Sequence, residues 1–333
     1  MKFNSVVIVD GVRTAIGGFA GSLSGLTPEQ MGTATAQEVI KRSGVDAKQI
    51  DHAVYGHIIP TAAQDSYLAR HIALNSGLDE SSAAFNVSRL CGSGLQAIIS
   101  AAQMIESGDS KLALAGGAES MSQGGYLLPK VRSGLRMGHS TVQDLTLGTL
   151  SDPFGTGHMG ITAENIAEKY GFTREQLDEF SLASHQKAAA ATAEGRFVEQ
   201  IVPVAVRKGR EEVQFATDEH VREHVSLEDL AKLKPAFKKD GLVTAGNASG
   251  INDGAASLLL ADEKTAAELG LKVRGRLVAN AFAGVDPKFM GLGPVAAVPK
   301  ALAQAGLSIA DMDVIESNEA FAAQAMAVAQ ELG

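Results

Sequence analysis

Short β-branched runs recur along this chain between longer stretches of helical periodicity, and no other feature constrains its fold as strongly. A strand, a crossover helix and a second parallel strand must bury both faces of the sheet they build. The alternation therefore predicts an α/β architecture of βαβ units with helices on the faces of a mostly parallel sheet. The strand candidates are residues 6–9, 53–55, 84–87, 112–115, 256–260, 276–281 and 313–316. Two helices have readable starts. Thr27 precedes Pro28 at a first helical position and that helix should close before Gly44, while Thr173 with Gln176 spells a capping box.

A chain of 333 residues exceeds one ordinary domain, so two or three packed units are expected. Residues 38–56 run helix, glycine, linker, Ile-Asp, strand. Residues 300–318 repeat that order, with Gly306 matching Gly44 and Asp313 matching Asp51. Residues 5–15 and 276–286 also pair as opening strands, which predicts a duplicated fold whose second half is the shorter. Residues 120–250 are rich in glycine, serine and charge and read as an insertion that supplies loops over a site. The expected units are 1–119 completed by 251–273, a loop domain over 120–250, and 274–333.

The net charge of −9 argues against general nucleic-acid binding, which relies on a positive field. No apolar run reaches the roughly 18 residues of a membrane helix. The first residues enter a strand-like run by Val6 with no leader pattern, and a single cysteine allows no internal disulfide, so a reduced, cytoplasmic setting is expected. The histidines and the one cysteine show no metal-ligand spacing, and no glycine-rich nucleotide fingerprint follows the first strand. Neither a metal nor a redox cofactor is expected.

The cysteine carries the functional reading. Residues 82–108, SAAFNVSRLCGSGLQAIISAAQMIESG, run from a strand through a tight turn of small residues into a helix, and Cys91 falls at the turn. A thiol at a helix N-terminus meets the positive end of the macrodipole and unpaired N–H groups, which favour its thiolate. A lone intracellular cysteine is most often a small buried hydrophobe. A Cys-Gly-Ser-Gly step between strand and helix is poor core filler, however, and a good seat for a nucleophile.

Six strings, VSRLCGSGLQAI (87–98), AGGAESMS (115–122), GHMGITAENIA (157–167), TAGNASGINDGAA (244–256), MGLGP (290–294) and ESNEAFAAQ (316–324), resemble the thiolase family in order along nearly the whole chain. The resemblance implies the thiolase fold, two βαβαβαββ halves in a five-layered αβαβα arrangement with an inserted loop domain, the second half here incomplete. It implies that Cys91 accepts an acyl group from one acyl-CoA and that a second acetyl-CoA attacks the thioester, making acetoacetyl-CoA; the reverse is thiolysis. Coenzyme A thioesters are then substrates rather than cofactors, and the family's habit is a homotetramer, with residues 124–144 at the place of its tetramerisation loop.

By the same correspondence Asn318 holds an oxyanion-hole water. His158 and Met159 lie along the acyl and pantetheine pocket, with Met290, Ala320 and Phe321 beside them. Arg222 sits near the nucleotide and Ser249 on the pantetheine, and Leu150, Leu233, Ala236, Phe237 and Ala245 line the cleft. Asp229 departs from the small polar residue expected near the phosphates, where an acidic group repels. The family's Gly-His-Pro and Cys-x-Gly-Gly motifs do not occur in the sequence, so a catalytic histidine and a second cysteine are expected to be lacking. The rival readings are a 3-ketoacyl-CoA thiolase of β-oxidation, told apart by chain-length preference, and a non-catalytic acyl-CoA-binding relative.

Overall fold

The computed structural model describes residues 1–333. Its centre is a sheet built on β1 (Val6–Thr14), β2 (His52–Gly56), β3 (Ala83–Val87), β4 (Leu112–Ser120) and β5 (Asn252–Asp262), in the spatial order β1-β5-β4-β2-β3. The strands β4, β2 and β3 are parallel, with His52 opposite both Ala113 and Ala83. β5 runs antiparallel between β1 and β4. Short strands Ile201–Val202 and Gly275–Arg276 extend the outer edge of β1, and Gly17–Gly18 pairs with β5.

Both faces of this sheet are buried, and the period-2 alternation of side chains sorts them. Val7, Val9, Tyr55, Leu114 and Leu259 join one core, with Met31 and Val39 of α1 (Pro28–Ser43) and Ile72 of α2 (Leu68–Asn75). Val6, Val54, Ala113, Ala115 and Leu260 face the opposite way, onto Ala97, Ile99 and Ile105 of α3 (Ser93–Ser107). Each fully buried leucine or valine contributes roughly 1.5–3 kcal/mol of transfer free energy, which is why these runs read as apolar on both sides.

The predicted helix ends are present. The Thr27 hydroxyl accepts the Gln30 N–H while the Gln30 side-chain Oε1 accepts the Thr27 N–H, and α1 stops at Gly44 with φ 73°. Thr173 and Gln176 form the same reciprocal cap at the start of a helix over Arg174–Ala193. Residues 120–250 hold more regular structure than their composition indicates. They include α4 (Met159–Tyr170), the Arg174–Ala193 helix and a hairpin of Val204–Lys208 with Glu211–Phe215.

The internal repeat is partly realised. Gly44 and Gly306 end their helices at φ 73° and 74°, and each is followed by a single 3-10 turn, Ala47–Gln49 and Ile309–Asp311. Beyond the turn the copies diverge. His52–Gly56 finds a parallel strand on each side, whereas residues 313–316 find no ladder partner and form no strand, leaving Val314 and Ile315 exposed. Residues 276–281 likewise shorten to Gly275–Arg276 and a single Lys2–Ala279 bridge. A strand is stable only with neighbours to take its N–H and C=O groups. Beyond the short edge strand Gly275–Arg276, residues 274–333 therefore contribute helices and turns and no second sheet, ending in a helix over Ala322–Leu332 that packs against α4.

Candidate active site

The three parallel strands β2, β3 and β4 end at the same edge of the sheet, the place where open α/β sheets bind ligands. A cavity of about 720 Å³ opens there. Its floor is made by the segments that leave these strands: Gly56, Ile58 and Ile59 after β2, Arg89–Gly94 after β3, and Gly117, Ala118, Glu119 and Met121 at the end of β4.

Cys91 is exposed in this cavity. Its loop is held by Ser93, whose hydroxyl accepts the Arg89 N–H at 2.7 Å and donates to the Leu90 carbonyl at 2.7 Å. Leu90, immediately before the cysteine, has φ 46°. A branched L-residue rarely takes that conformation, so the turn stores strain of order 1–3 kcal/mol that the flanking strand and helix must hold. Gly56 makes the close packing possible: a Cβ there would come within 2.7–2.9 Å of Ser93 and Gly94, blocking the helix N-terminus from the end of β2. Arg89 lies over the Phe282 ring, its guanidinium carbon 3.9 Å from the centroid.

Of the residues carried over from the resemblance, Leu150, Met159 and Met290 line the same cavity as Cys91. Behind the two methionines lies an aromatic stack. The His158 imidazole lies on the Phe237 ring at 4.6 Å between centroids, and Phe237 meets Phe321 edge-on at 6.2 Å. Met159, Met290, Ala320 and Phe237 pack against the small core of Ala163, Val243 and Phe321, so the methionines join cavity to stack. His158 caps α4, its Nδ1 accepting the Gly160 N–H at 3.0 Å, and burial holds it below the ordinary imidazole range.

The remaining candidates lie elsewhere. Ser249 borders a separate polar pocket of about 240 Å³ with His185, His220 and Glu319. Its N–H donates to the Ala320 carbonyl at 3.0 Å, which ties that pocket to the Phe321 strand bridge. Arg222 is exposed beside this pocket, its N–H donating to His185 Nδ1 at 3.2 Å. Leu233 packs beneath Gly246, Ala236 donates its N–H to the Val243 carbonyl, and Ala245 is exposed. Asn318 is not brought to Cys91: it is exposed in the irregular run before Phe321 and lies outside the cavity lining. That run lacks the strand which would have presented it.

Asp229 is engaged within its own short helix. It completes a capping box with Ser226 and pairs with Lys232 at 3.0 Å, and the Lys232 contact is the first cause of its lowered pKa. Sequence reasoning passed over Glu119, Ile58, Ile59 and Phe154, all in the Cys91 cavity. Glu119 stood in view as the one charge in AGGAESMS at the carboxyl end of a strand, where ligands bind. Burial pushes its carboxyl up, against the opposing effect of His57.

An exposed thiol at a strand-to-helix turn, inside a cavity walled by leucine and methionine, defines an enzyme that can hold an acyl group as a cysteine thioester: an acyltransferase. The comparisons say which one. The family model described as thiolase, N-terminal domain, matches residues 6–264, and that described as thiolase, C-terminal domain, matches residues 271–333. The chain belongs to the thiolase family.

It is 52% identical to the beta-ketothiolase BktB of Cupriavidus necator, covering 98% of this chain and 84% of that protein. It is 50% identical to an acetyl-CoA acetyltransferase of Allochromatium vinosum, covering 99% and 84%. The crystal structure of the Bacillus anthracis acetyl-CoA acetyltransferase superposes with a TM-score of 0.96 at 45% identity, over 99% of this chain and 84% of that one. These matches do not bear out the expectation that catalytic residues are lacking. No helix is long and apolar enough to cross a membrane.

Proposed function

We propose that this chain is an acetyl-CoA acetyltransferase that makes or cleaves acetoacetyl-CoA through an acyl-Cys91 intermediate. In the synthetic direction the Cys91 thiolate adds to the carbonyl of acetyl-CoA and expels the coenzyme A thiolate. A second acetyl-CoA loses a methyl proton, which ends on the expelled coenzyme A thiolate, and its carbanion attacks the acetyl-Cys91 carbonyl, forming the carbon–carbon bond and releasing the Cys91 thiolate. Negative charge develops on a thioester oxygen in both steps and must be met by placed donors in a dry site.

The observation that carries this reading is the exposed Cys91 thiol at the floor of the strand-end cavity with Leu150, Met159 and Met290 around it. The methionines exclude water and adapt to an acyl chain. Asn318 is assigned an oxyanion-hole water on the family resemblance of its motif. His158, Ala320, Phe321 and Ser249 are assigned to the pantetheine side, Leu233, Ala236, Phe237 and Ala245 to the lining of the cleft, and Arg222 to the nucleotide end of coenzyme A. Coenzyme A thioesters serve as substrates, and the same reading places a homotetramer in the cytoplasm.

The test is Cys91 labelling by iodoacetamide with and without acetyl-CoA, read by intact mass, beside acyl transfer in Cys91→Ala. Fast labelling that acetyl-CoA suppresses, with transfer lost in the variant, is the expected result. Transfer retained in Cys91→Ala overturns it.

A further inference from the structure

One buried array beside the cavity has no part in the chemistry above. His57 follows β2 and lies between two carboxylates, with Nδ1 3.3 Å from Glu119 Oε1 and Nε2 3.5 Å from Asp65 Oδ2. Its Nδ1 is also 3.0 Å from the Ala118 carbonyl, which can only accept, so the proton belongs on Nδ1. The opposite ring nitrogen is buried with no hydrogen-bond partner.

Each carboxylate grips backbone. Glu119 accepts the N–H of Ile58 and of Ile59, both at 3.0 Å. Asp65 accepts the N–H of Thr61 at 2.6 Å and of Ala62 at 2.9 Å, with the Thr61 hydroxyl at 2.8 Å. Four backbone donors of residues 58–62 thus end on two carboxylates that flank one imidazole, and Ile58, Ile59 and Glu119 all line the Cys91 cavity. Buried backbone donors must be satisfied, and charge-assisted bonds are about twice as strong as neutral ones. The wall therefore owes its position to this array instead of to a sheet ladder.

We propose that Glu119, held by His57, is a positioning residue that sets the Ile58–Ile59 wall of the Cys91 cavity and thereby decides which acyl chain fits beside the thiol. This rests on Cys91 being the acyl acceptor. Glu119 touches the wall and acts through it. Removing one of its two oxygens as an acceptor frees one wall N–H and lets the isoleucines relax away from the space beside Cys91.

The experiment labels Cys91 with methyl and with hexyl methanethiosulfonate, each forming a mixed disulfide with release of methanesulfinate, and follows both rates by intact mass. In Glu119→Gln the hexyl-to-methyl rate ratio should rise about tenfold, the low end of what pocket fit around a methylene is worth. The methyl rate should stay within roughly twofold. His57→Asn, which keeps a donor near the Nδ1 position, should retain the parent ratio, whereas His57→Gln, which moves it, should shift the ratio like Glu119→Gln. A role confined to stability would lower the melting temperature and leave the ratio unchanged. An unchanged ratio in folded Glu119→Gln overturns the proposal; if that variant fails to fold, equal ratios in His57→Asn and His57→Gln do so. Protection of Cys91 by acetyl-CoA in the parent chain is read separately, so failure of the functional reading is distinguishable from failure of the wall assignment.

Discussion

The Gly160 α-carbon lies so close beneath the Phe237 ring that a Cβ placed there would stand 2.2 Å from a ring carbon. The stack of His158 on Phe237, with planes inclined by 17°, therefore exists only over a glycine. Gly160→Ala decides between two opposed effects. In a helix the substitution alone stabilises by roughly 1 kcal/mol, but overpacking against a fixed ring costs about 1–3 kcal/mol. The clash should win, lowering the thermal midpoint, and displacement of Phe237 should raise the KM for acyl-CoA. A midpoint above that of the parent chain would show that Phe237 moves freely and that the stack positions nothing.

A second prediction concerns acid. His158, His185 and His220 all sit below the ordinary imidazole range, in each case first because burial disfavours the cation. His185 is lowered further by His220 and Arg222, against Glu319, and His220 by Arg222. A histidine depressed in the folded state takes its proton more readily in the unfolded chain. Its contribution is fully present above the unfolded value of about 6.5 and is lost as pH falls through the folded values. Thermal midpoints should drop between pH 7.5 and 5.5, before the carboxylates titrate. Replacing the three histidines by glutamine should flatten that slope, and an equal slope in the triple variant would assign the acid loss elsewhere.

What the sequence showed of this site depended on how local each feature is. The seat of Cys91 is contiguous, a strand, a turn and a helix within residues 83–107, and pattern alone located it. The wall opposite is not local: Glu119 meets Ile58 across 61 positions and Ile59 across 60, and no period or motif encodes such a contact. Leu150, Met159 and Met290 came only through the family resemblance, since an apolar residue in a cavity wall and one in a core look alike in sequence. Residues 313–316 show the converse error. Their β-branched pattern is sound, but a strand is a property of a pair, and they meet no partner. Asn318, at the end of that run, inherits the consequence.

Arg222 is exposed and outside the lining of the Cys91 cavity, beside the polar pocket of Ser249, His185 and His220. If it serves the nucleotide end of coenzyme A, it binds ground and transition states alike. Arg222→Ala should raise the KM for acyl-CoA about tenfold, the low end for a hydrogen bond to a charged group, and leave kcat within roughly twofold. Steady-state kinetics at two ionic strengths would check this, because an exposed contact to phosphate weakens with salt. A fall in kcat at constant KM would give Arg222 a different task.

The two methionines offer the sharpest discrimination between a cavity wall and a core. Met159 and Met290 line the Cys91 cavity on one side and pack against the Ala163–Val243–Phe321 cluster on the other. Truncating either to alanine removes packing from the cluster, which costs about 2–5 kcal/mol where a site cannot collapse, and this alone would follow for any core methionine. The cavity adds a second consequence. Space opened on the thiol side admits extra methylenes, each worth about 1–3 kcal/mol of discrimination. Met159→Ala and Met290→Ala should therefore lose stability and at the same time raise the ratio of kcat/KM for six-carbon over four-carbon 3-ketoacyl-CoA. The ratio is the informative quantity, since a smaller folded fraction scales both substrates equally. If the melting temperature falls while the ratio holds, the methionines are core residues whose contact with the cavity is incidental. A ratio that rises in one variant alone identifies which of the two faces the growing end of the chain.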